Sequence, residues 1–271
     1  MKSLHSKKVF GALLIVLALF AGLVPARAAE EAPPALTATV QTDVLSQYVF
    51  RGIANSKDAA VFQPSLTLGY QGVSLNIWGN VDLHDNINSN RSRIRWNETD
   101  ITLSYTRELF TNFSALVGAT QYYLLNGVYG DSAEFFFGGA YTLPWFTVTL
   151  TTYREFQNYP GWYIQLDFAK SIPLPYYNMS LELDANFGYM ILNSDKYVVD
   201  LAPLTIGDYS DFHAGQVSAA LRIPFGKYFS VAPKIGLSFP LSTAASRYIE
   251  ANSFDTQDVH VYGGMNLTVA F

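Results

Sequence analysis

Apolar and polar residues alternate with a period of two along most of this chain. In the segment 73–83, the odd-numbered positions hold apolar residues or glycine, and most even-numbered positions hold polar residues. The segments 162–168 and 181–191 alternate in the same way. Because successive side chains of a β-strand point to opposite faces, strict alternation predicts strands with one apolar and one polar face.

Twelve such segments are predicted, and most have the length of about 10 residues with which a tilted strand crosses a bilayer. They lie near 36–50, 61–70, 73–83, 97–107, 112–123, 131–142, 145–156, 162–171, 179–191, 213–224, 228–240 and 259–271. The expected fold class is therefore all-β, a transmembrane antiparallel β-barrel of about twelve strands.

The connections between these segments alternate in length. Tight turns are predicted near 71–72, 109–111, 144 and 226–227, with a longer turn near 172–178. Polar loops are predicted at 51–60, 84–96, 124–130, 157–161, 192–212 and 241–258. Short periplasmic turns and long extracellular loops are typical of outer-membrane barrels, and an even strand number brings both termini to the turn side.

Composition favours the same fold. The chain is 49% hydrophobic and 15% aromatic but only 14% charged, whereas soluble domains average about 25% charged residues. Aromatic residues near the strand ends would form girdles at the two membrane surfaces. Those assigned to the girdles are Tyr48, Phe50, Tyr70, Tyr105, Phe113, Tyr123, Tyr141, Trp145, Phe146, Trp162, Tyr176, Tyr177, Tyr228 and Phe229. A soluble β-sandwich is the alternative, but it gives no role to outward apolar residues on every strand.

The first 28 residues have the layout of a cleavable signal peptide. Lysines at positions 2, 7 and 8 precede an apolar run at 9–24, and Ala26-Arg27-Ala28 supplies a cleavage site. Residues 29–35 are interpreted as a short periplasmic leader and residues 36–271 as the barrel. The expected location is the outer membrane of a Gram-negative bacterium, in contact with lipid and lipopolysaccharide.

The last predicted strand ends the chain. Its apolar face runs from Val259 to the terminal Phe271. An amphipathic last strand that ends in Phe resembles the signal by which the barrel-assembly machinery recognises its substrates. We therefore expect Phe271 to be the assembly signal.

Charge and cysteine content exclude several functions. Four of the 17 basic residues and none of the 22 acidic ones fall within the first 28 positions, which leaves the mature chain 13 basic residues and a net charge of −9. This charge argues against a nucleic-acid partner. The absence of cysteine excludes thiolate metal sites and thiol catalysis. No cofactor is expected.

Histidine is the remaining candidate for chemistry. His84, His213 and His260 fall at or near predicted extracellular strand ends, in the sequences HDN, HAG and HVY. These sequences lack the His-x-Ser arrangement of outer-membrane phospholipases, and no pair of histidines has the spacing of metal ligands. We interpret all three as solvated loop or rim residues and expect no catalytic and no metal site.

The predicted inward faces carry more acids than bases. The alternation assigns to the lumen the acids Asp43, Asp82, Asp100, Glu134, Glu155, Asp167, Glu182 and Asp184 and the bases Arg51, Arg222 and Lys234. An acidic lumen favours cations through its electric field. The alternative, given equal weight, is that these carboxylates are held in hydrogen bonds that fill a narrow interior.

The expected strand pairing brings some of these charges together. One pairing sets Asp167 opposite Glu182, and the next sets Glu182 opposite Arg222. The resulting row, with Asp184 and Lys234 close by, is the candidate constriction of the lumen.

A motif near the N-terminus provides a resemblance to a known family. Residues 42–53 read TDVLSQYVFRGI, and the stretch Tyr48 to Gly52 (YVFRG) is followed by a polar loop and a second strand. This stretch resembles a family of proteobacterial porin-like proteins, known mostly as conserved hypothetical outer-membrane barrels. The resemblance implies an outer-membrane barrel and a channel, and it supplies no substrate or catalytic residues.

Strand number limits the size of the pore. Barrels of about 8 strands are filled by side chains, and those of about 16–18 strands enclose an aqueous channel. A barrel of intermediate size predicts a narrow passive channel for small polar solutes, with a monomer favoured. The alternative is a closed barrel with a structural or surface-interaction role through its extracellular loops, or a rim-located outer-membrane enzyme.

Overall fold

The computed structural model describes residues 36–57, 59–84, 94–125, 130–158, 160–192 and 209–271. The predicted signal peptide and leader and most of the 192–212 loop lie outside the described residues. The strands are β1 (Thr37–Leu45), β2 (Val49–Phe50), β3 (Ile53–Ala54), β4 (Val61–Tyr70), β5 (Val73–Asp82), β6 (Arg95–Phe110), β7 (Phe113–Leu124), β8 (Ser132–Thr142), β9 (Thr147–Glu155), β10 (Gly161–Pro173), β11 (Ser180–Leu192), β12 (Tyr209–Phe225), β13 (Phe229–Pro240) and β14 (His260–Ala270), and the helix α1 spans Thr243–Asn252.

Within these ranges, β1 and β4 to β14 form one closed antiparallel barrel of twelve strands, so the predicted fold class is confirmed. Each strand pairs with its neighbours in sequence, and β1 closes the barrel by pairing with β14 on one side and β4 on the other. Thr39 of β1 lies opposite Ala270 of β14, which places the two ends of the barrel sequence at the same end of the barrel.

The turns at that end, called the turn end here, follow directly from their sequences. Gln71 and Gly72 connect β4 to β5, and both have positive φ, at 50° and 82°. Two central residues with positive φ make a type I′ turn, whose twist matches that of the flanking strands. The longer connections, including 46–60 and 241–259, lie at the opposite end, called the loop end.

The outer surface of the barrel is apolar. Ile77, Phe137, Leu150 and Ile235 lie on outward faces and are between 42% and 58% exposed. Exposed apolar side chains on strand after strand suit a lipid environment, and the closed barrel leaves no unpaired strand edge within it. Among the described residues, no helix is both long and apolar enough to cross a membrane.

Two elements at the loop end differ from the predicted pattern. The segment 36–50, predicted as one strand, leaves the barrel wall after Leu45, and the short strands β2 and β3 pair with each other rather than with the wall. Consequently Tyr48 and Phe50 lie inside the barrel and not in a girdle: Tyr48 packs against Trp78 on the inner face of β5, with ring centroids 5.5 Å apart. The predicted 241–258 loop contains α1, capped by Ser242, whose Oγ accepts a hydrogen bond from the Ala245 backbone N–H.

Candidate functional site

A β-hairpin formed by β2 and β3 enters the lumen at the loop end. Val49 pairs with Ala54 and Phe50 with Ile53, which leaves Arg51 and Gly52 at the tip. Both tip residues have positive φ, at 48° and 88°, as a type I′ turn requires. Glycine accepts this conformation freely, but for an arginine it costs about 1–2 kcal/mol. Gln71 has the same backbone conformation in the β4–β5 turn, so the feature that distinguishes Arg51 is the inward course of its hairpin.

The side chain of Arg51 crosses the lumen and pairs with Glu134. Its Nη1 and Nη2 donate to the two carboxylate oxygens of Glu134 at 3.1 and 3.0 Å, a bidentate ion pair. The Tyr122 hydroxyl donates to the same carboxylate at 2.6 Å. Glu134 lies on β8, the fifth strand from β1 in one direction around the barrel and the seventh in the other. The hairpin therefore reaches from one wall to the wall facing it.

Three aromatic rings surround the guanidinium. Its carbon lies 4.9, 4.7 and 4.4 Å from the ring centroids of Phe50, Tyr153 and Tyr163. All three distances are within the range of cation–π attraction. Burial lowers the pKa of Arg51, but the Glu134 carboxylate and the hydroxyls of Tyr122 and Tyr163 together raise it by more, so the net pKa shift is upward and the guanidinium stays charged. We call Phe50, Tyr122, Glu134, Tyr153 and Tyr163 the Arg51 cage.

Two cavities in the described part of the lumen meet at this cage. The loop-side cavity has a volume of about 200 Å³ and the turn-side cavity about 410 Å³. Arg51 and all five cage residues line both cavities. The loop-side cavity is also lined by Glu98, Glu155, Trp162, His213 and Tyr248. The turn-side cavity is also lined by Thr102, Thr120, Gln165, Asn186 and Gln216. The hairpin tip therefore separates a loop-side cavity with aromatic and acidic lining from a turn-side cavity whose further polar lining is uncharged.

The hairpin is held in place by β12 and α1. A Cβ atom added to Gly52 would lie 2.8 Å from both Ala214 Cβ and Ile249 Cδ1, so only glycine fits at the tip. The Ala54 backbone N–H donates to Ser253 Oγ at 3.1 Å, and the Phe254 N–H donates to the Ala54 carbonyl at 3.0 Å. The segment after α1 thus fixes the base of the hairpin.

The interpretation of His213 and His260 as solvated residues is wrong, because both are almost fully buried. His213 Nδ1 lies 2.8 Å from the Tyr209 hydroxyl, and its ring meets that of Tyr163 edge-on. A β-bulge in β12, opposite Phe187 and Tyr189, turns His213 inward. His84 is exposed, as predicted.

His260 forms an arrangement that resembles a hydrolase triad. Its Nδ1 lies 3.2 Å from Asp255 Oδ2, and its Nε2 lies 3.5 Å from Ser253 Oγ. However, the Ser253 hydroxyl already accepts the Ala54 N–H, and none of the three residues lines either cavity. The contact therefore holds the segment after α1, which fixes the base of the hairpin, against β14.

The predicted charged row does not form, since the strand register differs. Asp167 lies opposite Asn186, Glu182 opposite Ser171, and Arg222 opposite Ser180. The turn from 174 to 179 contains two residues with positive φ. It shifts β11 along β10 by four residues relative to the expected pairing.

The five residues of the predicted constriction face the lumen away from the Arg51 cage. The Glu182 carboxylate accepts a hydrogen bond from the Ser171 hydroxyl at 2.8 Å, and Asp184 is exposed. Lys234 lies in the same row as Glu182, with Ala220 between them. Neither these nor Asp167 and Arg222 line the two cavities.

One inward acid was missed in the sequence. Glu98 is buried, lines the loop-side cavity and lies two residues before Asp100, so alternation on β6 places both on one face. Asp82, in contrast, accepts hydrogen bonds from Asn80 and Asn97 at 3.0 and 2.8 Å. Asp82 thus agrees with the second interpretation of the inward acids, in which hydrogen bonds hold their carboxylates in a narrow interior.

Comparison with solved structures found several similar chains. The chain is similar to the NanC porin, with a TM-score of 0.50 and 9% identity over 86% of this chain and 98% of that one. It is also similar to OmpF of Salmonella typhi, with a TM-score of 0.40 and 9% identity over 88% and 97% of the two chains. For an anion-selective porin from Comamonas acidovorans the TM-score is 0.34, with 11% identity over 89% and 100%. At these identities the similarity to NanC shows a shared fold.

Sequence comparison shows the family. A search of curated proteins found no match to this chain. Residues 27–227 match a family model described as a bacterial protein of unknown function, Gcw_chp. Since this match covers well over half of the sequence and includes the hairpin and the cage, the chain belongs to the Gcw_chp family.

Proposed function

We propose that the protein is a narrow passive channel of the bacterial outer membrane for small polar solutes, with the Arg51 hairpin at its narrowest point. The observation that carries this proposal is that two cavities of a closed barrel meet at the Arg51 cage. A lumen filled by side chains would leave no such spaces, and a wide porin would have no residue that crosses from wall to wall.

An outer-membrane location agrees with the surface of the barrel and with the sequence. Exposed aromatic residues lie at the turn end, as at Trp145 and Tyr228, and at the loop end, as at Trp96 and Tyr123. Aromatic rings at both ends of an apolar belt suit the two interfaces of a bilayer. The signal peptide expected in residues 1–28 would deliver the chain across the inner membrane.

We further propose that the channel prefers cations. Arg51 is the positive charge at the cage, but its bidentate pair with Glu134 compensates that charge locally. The Glu155 carboxylate, which accepts hydrogen bonds from the Ser132 hydroxyl and from the backbone N–H groups of residues 157 and 158, lines the loop-side cavity, through which a solute from outside the cell would approach. Negative charge at the mouth of a narrow pore raises the local concentration of cations and repels anions.

Recording from the purified mature chain in planar bilayers tests both parts of the proposal. We expect small, steady conductance steps and, in a KCl gradient, a reversal potential displaced toward that of K⁺. Anion preference would contradict the proposed selectivity. A barrel that is folded but electrically silent would support the alternative of a closed barrel acting through its extracellular loops.

A further inference from the structure

We infer that the Arg51 cage is a binding site for small organic cations that carry a guanidinium group, and that Arg51 occupies this site as a tethered competitor. The inference rests on the proposed channel function for its physiological use, but the site itself is defined by the geometry of the cage.

The cage supplies the groups that recognise a guanidinium. Glu134 presents both oxygens to two N–H groups of one planar fork, at 3.1 and 3.0 Å. The rings of Tyr153 and Tyr163 lie 4.7 and 4.4 Å from the guanidinium carbon. Bidentate pairing with a carboxylate and stacking against aromatic faces favour guanidinium over a compact ammonium ion. The site is thus specific for the shape as well as the charge of its ligand.

The present occupant comes from the hairpin and not from the barrel wall. Glu134, Tyr153 and Tyr163 belong to the wall strands β8, β9 and β10, whereas Arg51 stands at the tip of a two-residue turn with left-handed backbone. Arg51 is 18% exposed, while the Glu134 carboxylate is 2% exposed. A wall site filled by a side chain from a separate hairpin has the layout of a receptor occupied by part of its own chain.

A second observation on the loop side points to a ligand. Glu155 lines the loop-side cavity, and its Oε2 is buried without a hydrogen-bond partner among the described residues. Buried carboxylate oxygens usually accept a hydrogen bond, so this oxygen is available to an N–H or O–H donor of a ligand. A solute that placed its guanidinium in the cage could present a further N–H donor to this oxygen. The cavity volume of about 200 Å³ limits such a solute to a small one.

Arg51 competes with such a solute through its high effective concentration. A group on a short tether acts at millimolar effective concentration or above, so a free ligand of the same chemistry binds weakly while the tethered group is present. Removing the Arg51 side chain therefore exposes the site. A solute that replaces Arg51 also releases the hairpin tip from the opposite wall, which links binding to passage.

The test compares the Arg51→Ala variant with the wild type, using methylguanidinium as the probe and the neutral, similarly shaped methylurea as its control. Intrinsic fluorescence of the detergent-solubilised barrel reports binding, and single-channel current reports block. We expect saturable binding and block of Arg51→Ala by millimolar methylguanidinium, with affinity about tenfold weaker in the wild type. The double variant Arg51→Ala/Glu134→Gln should lose the response.

Equal responses to methylurea, or no saturable binding by folded Arg51→Ala, would overturn the inference. Arg51→Met, which keeps an apolar stem on the hairpin, replaces Arg51→Ala if the latter does not fold. Because fluorescence does not depend on conduction, the experiment tests the guanidinium site and the channel function independently. Binding without conductance would support the guanidinium site and contradict the channel. Conductance without binding would support the channel and contradict the guanidinium site.

Discussion

At the scale of the residue, the function proposed here depends on one ion pair that spans the lumen. Arg51 lies within the stretch YVFRG by which the sequence resembles a porin family, and the structure gives four of its five residues a role. Tyr48 packs against the wall at Trp78, Phe50 and Arg51 contribute to the division of the lumen, and Gly52 allows the tip to approach Ala214.

Neutralising Glu134 should change both selectivity and stability. In Glu134→Gln the Arg51 charge loses its partner, so we expect the reversal potential to shift toward that of the anion. Stability should fall by about 1–3 kcal/mol, since a mostly buried charge is left with a neutral partner. Thermal unfolding and reversal potentials measure the two effects.

Glu182→Gln is the matched control, because its carboxylate faces the lumen but is bonded to Ser171 and lies away from the cage. An equal shift of the reversal potential in the control would show that selectivity depends on total lumen charge and not on the ion pair at Arg51.

At the scale of the element, the hairpin keeps its place because α1 packs behind it. Ile249 and Ala245 are the buried residues of this helix, and Ile249 contacts the hairpin tip at Gly52. The sequence contained the start signal of this helix, a serine at position 242 in the N-cap role. The helix was missed because a helix of 10 residues within a polar loop leaves too short an apolar stripe for its period to be recognised.

Shortening Ile249 should loosen the hairpin without opening the barrel. Ile249→Ala removes a fully buried side chain, and such changes cost about 2–5 kcal/mol. We expect noisier single-channel current and faster proteolysis within 46–57, with unchanged β-sheet content. Glu250→Ala, at an exposed position of the same helix, should behave as the wild type. Equal current noise in the two variants would contradict the supporting role of α1.

The C-terminal strand carries a prediction about assembly. The Phe271 ring is 67% exposed and lies 5.5 Å from that of Tyr228, while its backbone pairs with Ala38 across the closure between β1 and β14. Since this ring contributes little burial, we expect Phe271→Asp to reduce delivery to the outer membrane far more than it reduces the thermal stability of barrel refolded in detergent. Membrane fractionation and thermal unfolding measure the two quantities. Normal yield of Phe271→Asp in the outer membrane would contradict a role as assembly signal.

At the scale of the whole molecule, the sequence predicted the barrel well and its interior poorly. Alternation reports which face a residue occupies, and the predicted segment at 61–70 coincides with β4. Alternation does not report where a strand leaves the wall, because residues 46–50 continue the same pattern while turning inward.

The register between paired strands cannot be predicted from alternation either. A shift of two or four residues preserves every facing, which is why Asp167 and Glu182 were placed opposite each other when the turn at 174–179 sets them apart. Bulges have the opposite effect, since they change the facing itself, as at His213. The location of the narrowest point therefore depended on the path of one hairpin, which only the three-dimensional fold reveals.

The single-channel conductance of Arg51→Ala, compared with that of the wild type and of Arg222→Ala, tests whether the lumen is narrowest at Arg51. Both variants remove one inward-facing guanidinium, but only Arg51 lies between the two cavities. Conductance should rise severalfold in Arg51→Ala and stay close to the wild-type value in Arg222→Ala. Unchanged conductance in Arg51→Ala, or a larger increase in Arg222→Ala, would contradict a narrowest point at Arg51.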